Sequence, residues 1–204
     1  MKALRTLFTG KPPQKARLAI LVSGRGSNMR ALLDAMRLQK LDAECILVLS
    51  DREATGLGLA QKYGVPTELF PKKKGESREG FDARLAERLK KENPTLVICA
   101  GYLKLITAPL LNAFPNRILN IHPALLPAFP GLNAQKQALD YGVKITGCTV
   151  HLVDRGMDTG KILAQSAVPV QSKDTVETLS RRILKAEHQL YWRAIQQYLK
   201  KLPA

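Results

Sequence analysis

The stretch "RLAILVSGRGSNMRALLDAMRLQ", residues 17 to 39, joins two different periodicities through a glycine turn. Residues 17 to 23 are continuously apolar between Arg17 and Ser23, the pattern of a strand buried on both faces. Gly24-Arg25-Gly26-Ser27-Asn28 follows, and then Met29, Leu32, Leu33 and Met36 recur at helical spacing. Working outward, the same alternation continues. Strands are predicted at about 44–51, 65–70, 94–102 and 116–122, with helices at about 54–63, 80–93 and 107–114 between them. Strands alternating with helices over this length predict an α/β fold: an open, mostly parallel twisted sheet with helices on both faces. Past residue 122 the texture changes. "VKITGCTVHLV" and "GKILAQSAVPV", separated by the turn "DRGMDTG", predict an antiparallel extension of the sheet, and a long helix over about 175–201 closes the chain. The expected organisation is a flexible basic N-terminal arm over 1–16 and a single domain over 17–204.

Composition narrows the function classes. Of 204 residues, 45% are hydrophobic and 24% charged, which fits a globular chain, and no apolar run reaches the length of a membrane span. Residues 1–16 are basic, but their apolar part is too short for a secretory signal. Cys45, Cys99 and Cys148 lie in or beside apolar segments without metal-ligand spacing, and only His122, His151 and His188 are histidines. The reading is buried thiols in a reducing, cytoplasmic setting, with no metal site. The net charge of +15 is compatible with nucleic acid, an anionic surface or anionic small molecules. The basic runs are short and lack aromatic platforms, so a solvated basic surface is preferred to nucleic-acid or membrane binding.

Strand, glycine turn and helix together present backbone N–H groups and a helix dipole to an anion. Met29 occupies the place of the third glycine of the dinucleotide fingerprint, and no Gly-Lys-Ser/Thr follows. Gly26, Ser27 and Asn28 are therefore read as a phosphate loop, with Ser27 and Asn28 able to cap the helix. A second feature falls on the same sheet edge. In "LNIHPALLPAFPGL", residues 119–132, Asn120 and His122 share one face at the carboxyl end of the fifth strand, ahead of three prolines. A carboxamide and a protonated imidazole both donate to an oxygen gaining negative charge, and no serine or cysteine elbow accompanies them. Such a histidine calls for a carboxylate. Asp158 is the first candidate and Asp154, in the same turn, the second.

In this order and spacing, "LVSGRGSNMRAL", "CAGYLKLITAPLL", "NIHPALLPAFPGL", "GCTVHLVDRGMDTGKILAQ" and "RILKAEHQLY" closely resemble the glycinamide ribonucleotide formyltransferase family. The resemblance covers about residues 17 to 198. It implies the Rossmann-like formyltransferase version of the fold, its first half binding phosphate and its second half binding folate and carrying catalysis. It also implies a reaction in purine biosynthesis: transfer of the formyl group of 10-formyltetrahydrofolate, a co-substrate used without metal, to the amine of 5-phosphoribosylglycinamide. By motif, Asn120 and His122 look like the catalytic amide and imidazole and Asp158 like the carboxylate that raises the histidine pKa. Gly26, Ser27, Asn28 and Glu187 look like ribonucleotide contacts. Leu103, Lys104, Leu105 and Ile106 look like the stretch that recognises the folate ring, together with Arg78 and Asn120. His151 and His188 are given structural roles. Departures from the family are Ala124, Ala128, Asn133 and Gln135. The implied partners are the two small-molecule substrates, with a monomer or weak homodimer.

The competing readings are a formyltetrahydrofolate hydrolase, in which water replaces the amine, a methionyl-tRNA formyltransferase, and a basic nucleic-acid-binding module. The hydrolase leaves a phosphate loop without a purpose. The tRNA enzyme calls for a further domain to grip its substrate, and the binding module leaves the Asn–His–Asp set unexplained.

Overall fold

The computed structural model describes residues 15–202. The basic arm assigned to 1–16 lies outside them except for its last two residues, and Ala16 already begins the first strand. The elements are β1 (Ala16–Val22), α1 (Ser27–Arg37), β2 (Ala43–Ser50), α2 (Thr55–Lys62), β3 (Thr67–Leu69), α3 (Arg78–Lys90), β4 (Leu96–Cys99), α4 (Ala108–Ala113), β5 (Ile118–His122), α5 (Ala134–Tyr141), β6 (Ile145–Leu152), β7 (Ile162–Pro169) and α6 (Val176–Leu199).

The seven strands lie in the order β3-β2-β1-β4-β5-β6-β7. β1 to β5 pair in parallel, and β6 and β7 add antiparallel. The strands of the parallel half are apolar on both sides because both sides are covered. Leu18, Ile20 and Val22 of β1 pack with Met29 and Leu32 of α1 and Tyr191 and Ile195 of α6. Ala19 and Leu21, pointing the other way, pack with Phe81 and Leu85 of α3 and Leu110 of α4. The sheet order reverses between β1 and β4, so the crevice at the carboxyl ends of these strands is the natural ligand site of such a fold.

α6 is the main support of that crevice from one side. Its N-terminus carries a capping box between Thr175 and Thr178. Midway along it, the buried Tyr191 hydroxyl donates toward two carbonyls, Cys99 O at 2.8 Å and Leu119 O at 3.0 Å, tying the helix to the ends of β4 and β5. Cys99 and Cys148 are buried and Cys45 half-buried, and desolvation pushes each thiol up to about 12, so none is a thiolate at neutral pH.

α5 is absent from the sequence reading, which carries the chain from the proline-rich turn straight to β6. The helix is a bare two turns and buries only Ala134 and Ala138, too little apolar surface to register as a periodic pattern. Asn133 and Gly142, both left-handed, bracket it.

Candidate active site

β5 delivers Asn120 and His122 to the carboxyl edge on one face, as strand alternation requires. His122 is buried. Its Nε2 lies 2.8 Å from the carbonyl oxygen of Phe129, and its Nδ1 lies 3.2 Å from Asp158 Oδ2. A carbonyl only accepts, so Nε2 is the protonated nitrogen of this ring in either charge state. Nδ1 is then the nitrogen that gains or releases a proton, and it does so against a carboxylate. Phe129 presents its carbonyl from a left-handed backbone position, φ 56°, on the turn that follows the cis Leu126-Pro127 bond.

Asp158 arrives from the turn between β6 and β7, itself left-handed at φ 57°. Its Oδ2 also accepts from the Gly131 N–H at 2.9 Å. Gly131 holds φ 79°, a conformation that an L side chain rarely adopts, so the turn after β5 can offer its N–H to the carboxylate at little cost. Burial works to raise the Asp158 pKa, but hydrogen bonds from His151 and Gly131 and the nearby imidazoles outweigh it and hold the carboxyl below its ordinary value. Asp154 goes elsewhere. Its Oδ1 accepts from Gly156 N at 3.0 Å and Thr159 Oγ1 at 2.7 Å, which is turn chemistry.

His151, given a structural role from sequence, stands beside this cluster. The antiparallel register pairs Asn120 with His151. His151 Nε2 is 3.3 Å from Asn120 Nδ2 and 3.5 Å from Asp158 Oδ1, while Nδ1 lies 2.9 Å from Leu152 O. With Nδ1 donating to that carbonyl, Nε2 accepts from the Asn120 amide when the ring is neutral and donates to Asp158 only when it is protonated. Only the register of two strands brings it there, and sequence spacing does not give that register. His188 sits apart, half-buried between α1 and α6, where burial and then Arg30 depress its pKa.

The glycine loop closes the other end of the crevice. Gly26, φ 73°, is the N-cap of α1. A Cβ on Gly56, at the start of α2, would meet Gly24 O at 2.8 Å, so that second glycine, unremarked in the sequence, is what lets α2 approach the loop. The sequence suggested that Ser27 and Asn28 cap α1, yet no side chain caps it. Ser27 is half-buried at the first helical position, and the Asn28 amide donates instead to Glu187 Oε2 at 2.9 Å. Asn28 Oδ1 is buried and has no partner among the described residues. Glu187, buried on α6, has its carboxyl pushed up to about 7 by desolvation, partly offset by the Asn28 bond.

The segment Leu103 to Ile106 is the loop between β4 and α4. Leu103 and Leu105 are 60% and 50% exposed and Lys104 is exposed, whereas Ile106 is packed in the core beneath α3 and α4. Two leucines displayed to solvent on a pinned loop suit a flat apolar ligand better than core packing. The pins are Leu103 N to Ser23 Oγ at 3.0 Å and Arg78 Nε to Leu105 O at 2.9 Å. Arg78 also donates to Tyr102 Oη at 3.2 Å and lies 2.8 Å from Asp82 Oδ1, an ion pair without hydrogen-bond alignment. Arg78 thus braces this loop from α3. Asp82, fully buried, accepts from both N and Oγ1 of Thr107 at 2.7 Å.

Among the described residues, no group of three or more His, Cys, Asp or Glu side chains is arranged to hold a metal ion, and no helix is long and apolar enough to cross a membrane.

Known proteins resemble this chain over most of its length. The family described as Formyl transferase matches residues 16–195. Phosphoribosylglycinamide formyltransferase of Bacillus subtilis is 41% identical over 184 residues, covering 90% of this chain and 94% of the relative. The bovine trifunctional purine biosynthetic protein adenosine-3 is 44% identical over 95% of this chain, which spans only 19% of that protein's length. The crystal structure of glycinamide ribonucleotide transformylase 1 from Symbiobacterium toebii superposes with a TM-score of 0.90 at 50% identity, covering 92% of this chain and 89% of the other.

Proposed function

The chain belongs to the formyl transferase family, and from that premise we propose that it transfers the formyl group of 10-formyltetrahydrofolate to the amine of 5-phosphoribosylglycinamide, a step of purine biosynthesis. The observation that carries this reading is the meeting of Asn120, His122 and Asp158 at the sheet's carboxyl edge, in the same crevice as the glycine loop.

The neutral amine attacks the formyl carbon and gives a tetrahedral intermediate. Asn120 and protonated His122 stabilise its oxygen, where charge develops in the transition state: Asn120 by donating, His122 by its positive charge and the Nδ1–H it shares with Asp158. The carbon–N10 bond then breaks, and the proton lost by the amine reaches the folate nitrogen through His122 or an ordered water near Asp158. The Phe129 carbonyl keeps Nε2 protonated, so Nδ1 is the nitrogen that donates or exchanges. Asp158, ionised, supports a positive ring.

Gly26, Ser27 and Asn28 receive the phosphate at the N-terminus of α1, where no side-chain cap competes. Glu187 and the unpartnered Asn28 oxygen supply acceptors for ribonucleotide donors. Leu103 to Ile106 receive the folate ring, with Arg78 bracing that loop. No metal takes part in this scheme.

The test is an assay with synthetic phosphoribosylglycinamide and 10-formyltetrahydrofolate beside a control lacking acceptor. Tetrahydrofolate release only with acceptor is expected. Equal release without it overturns the transferase in favour of the hydrolase, and no release with retention of RNA or DNA in moderate salt overturns both.

A further inference from the structure

The Phe129 carbonyl that fixes the His122 ring sits on a turn with little core of its own. Between Ala124 and Gly131 the chain buries only Ala124 and Leu126, and α5 beyond it is short. Something else must hold this turn still. The holding contacts come from the antiparallel extension. Thr149 on β6 is fully buried, and its hydroxyl donates to Ala124 O at 2.7 Å and accepts from Leu126 N at 3.0 Å. The opposite residue on β7 is Gln165. Its Nε2 donates to Thr149 Oγ1 at 3.0 Å and to Leu126 O at 2.9 Å. Both backbone groups of Leu126 are thereby held by one side-chain pair, and the Thr149 hydroxyl is saturated with one bond donated and two accepted.

We propose that Gln165 is a positioning residue for His122: by gripping Leu126 and Thr149, it holds the turn that presents the Phe129 carbonyl to His122 Nε2. The sequence gives no hint of this. Gln165 is an exposed glutamine on an edge strand, a position whose ordinary reading is solvation. One donated bond to the turn and one to the hydroxyl that holds it distinguish Gln165 from its strand neighbours.

Exposure also makes the inference testable, because replacing an exposed edge residue leaves the core untouched. Gln165→Glu keeps the size and replaces the donating nitrogen with an oxygen that repels Leu126 O and Thr149 Oγ1. Gln165→Leu removes the polar group altogether. Both are expected to fold with the wild-type circular dichroism spectrum and to lose about tenfold in kcat with little change in KM, the pattern of a misplaced reacting group.

The chain has only three histidines, so nitrogen NMR of histidine-labelled protein reads the ring states directly. In the wild type, His122 is expected to show a single state with Nε2 protonated. In either variant it is expected to show a mixture of tautomers, with the His188 signal unchanged as internal control. An unaltered His122 ring signal, or wild-type kcat in both variants, overturns the proposal. The inference uses the reaction assigned above for its kinetic arm alone. If neither wild type nor variant transfers formyl groups but the His122 signals differ, the positioning role stands and the reaction assignment fails.

Discussion

At the scale of single residues, the decisive fact is that the two nitrogens of His122 have different neighbours. Phe129 O fixes one and Asp158 faces the other, so the ring's charge is controlled at Nδ1. In the reaction proposed above His122 stabilises an oxyanion, and removing such a group costs about a hundred- to a thousandfold in turnover. His122→Ala is expected to fall in that range, and single-turnover rates near wild type would show that another group does the work. Asp158→Asn keeps the shape and removes the negative charge that faces Nδ1. It is expected to lower kcat by about tenfold or more with little change in KM, the pattern of a misplaced reacting group. Asp154→Asn, whose carboxylate serves only its own turn, is expected to leave kcat at the wild-type value. Sequence alone narrowed the carboxylate to these two and could not choose, because both lie in one turn and only the left-handed backbone at 158 swings that side chain back to β5. The place of His151 beside the cluster was hidden for a related reason. Its role depends on which residue of β5 it faces, a property of the β5–β6 register.

At the scale of elements, α1 and α6 are joined across the crevice by Asn28 and Glu187, residues 159 positions apart. The parallel half of the fold was legible because each buried strand is an unbroken apolar run and each helix a periodic one. α5 was not, since two buried alanines leave no stripe. The α1–α6 seam has a thermodynamic cost that can be measured. The Glu187 pKa is raised from 4.5 to about 7, chiefly by desolvation. The folded state therefore binds this proton more tightly than the unfolded chain does. The associated stability is fully present below about pH 4.5 and is lost as pH rises through about 7. The difference is on the order of 3 kcal/mol. Glu187→Gln, which keeps an oxygen for Asn28 to donate to, is expected to unfold in denaturant at pH 8 with a free energy about 1–3 kcal/mol above wild type. At pH 4 the two proteins should nearly coincide. If the variant is less stable than wild type at pH 8, the carboxylate is better satisfied in the ligand-free protein than its burial implies. The same variant is expected to bind the ribonucleotide more weakly, because a carboxylate that accepts from ligand donors has been replaced by a neutral group. Stability and binding would then move in opposite directions at one residue.

At the scale of the whole molecule, the topology gives the net charge of +15 a direction. The loop after β1 carries Arg25, that after β2 carries Arg52 between Asp51 and Glu53, that after β3 carries Lys72, Lys73 and Lys74, and that after β4 carries Lys104. Parallel strands put all four loops on one edge of the sheet, the edge that holds the glycine loop and the Asn–His–Asp cluster. The acids nearby are partly spent on their own partners. Asp51 pairs with Arg52, and Glu76 is held at about 2 by Arg84 and the Lys73 N–H. A run-by-run reading of the sequence saw only short, unremarkable basic clusters, because their convergence exists only once the strands are parallel. Both proposed substrates are anions, one through its phosphate and one through its glutamate carboxylates, and a net positive field over a crevice raises their local concentration. The field is screened over about 10 Å at 0.1 M salt. Raising sodium chloride from 50 to 300 mM is therefore expected to increase KM for each substrate by about threefold or more while leaving kcat unchanged, since the chemistry takes place among buried groups that salt screens poorly. The double variant Arg25→Ala with Lys104→Ala should flatten that dependence, whereas Arg181→Ala with Lys185→Ala, placed on the outer surface of α6, should leave it as it is. A KM insensitive to salt would mean that the charge serves something other than these substrates. A kcat that falls with salt would mean that the ions reach the Asn–His–Asp cluster itself.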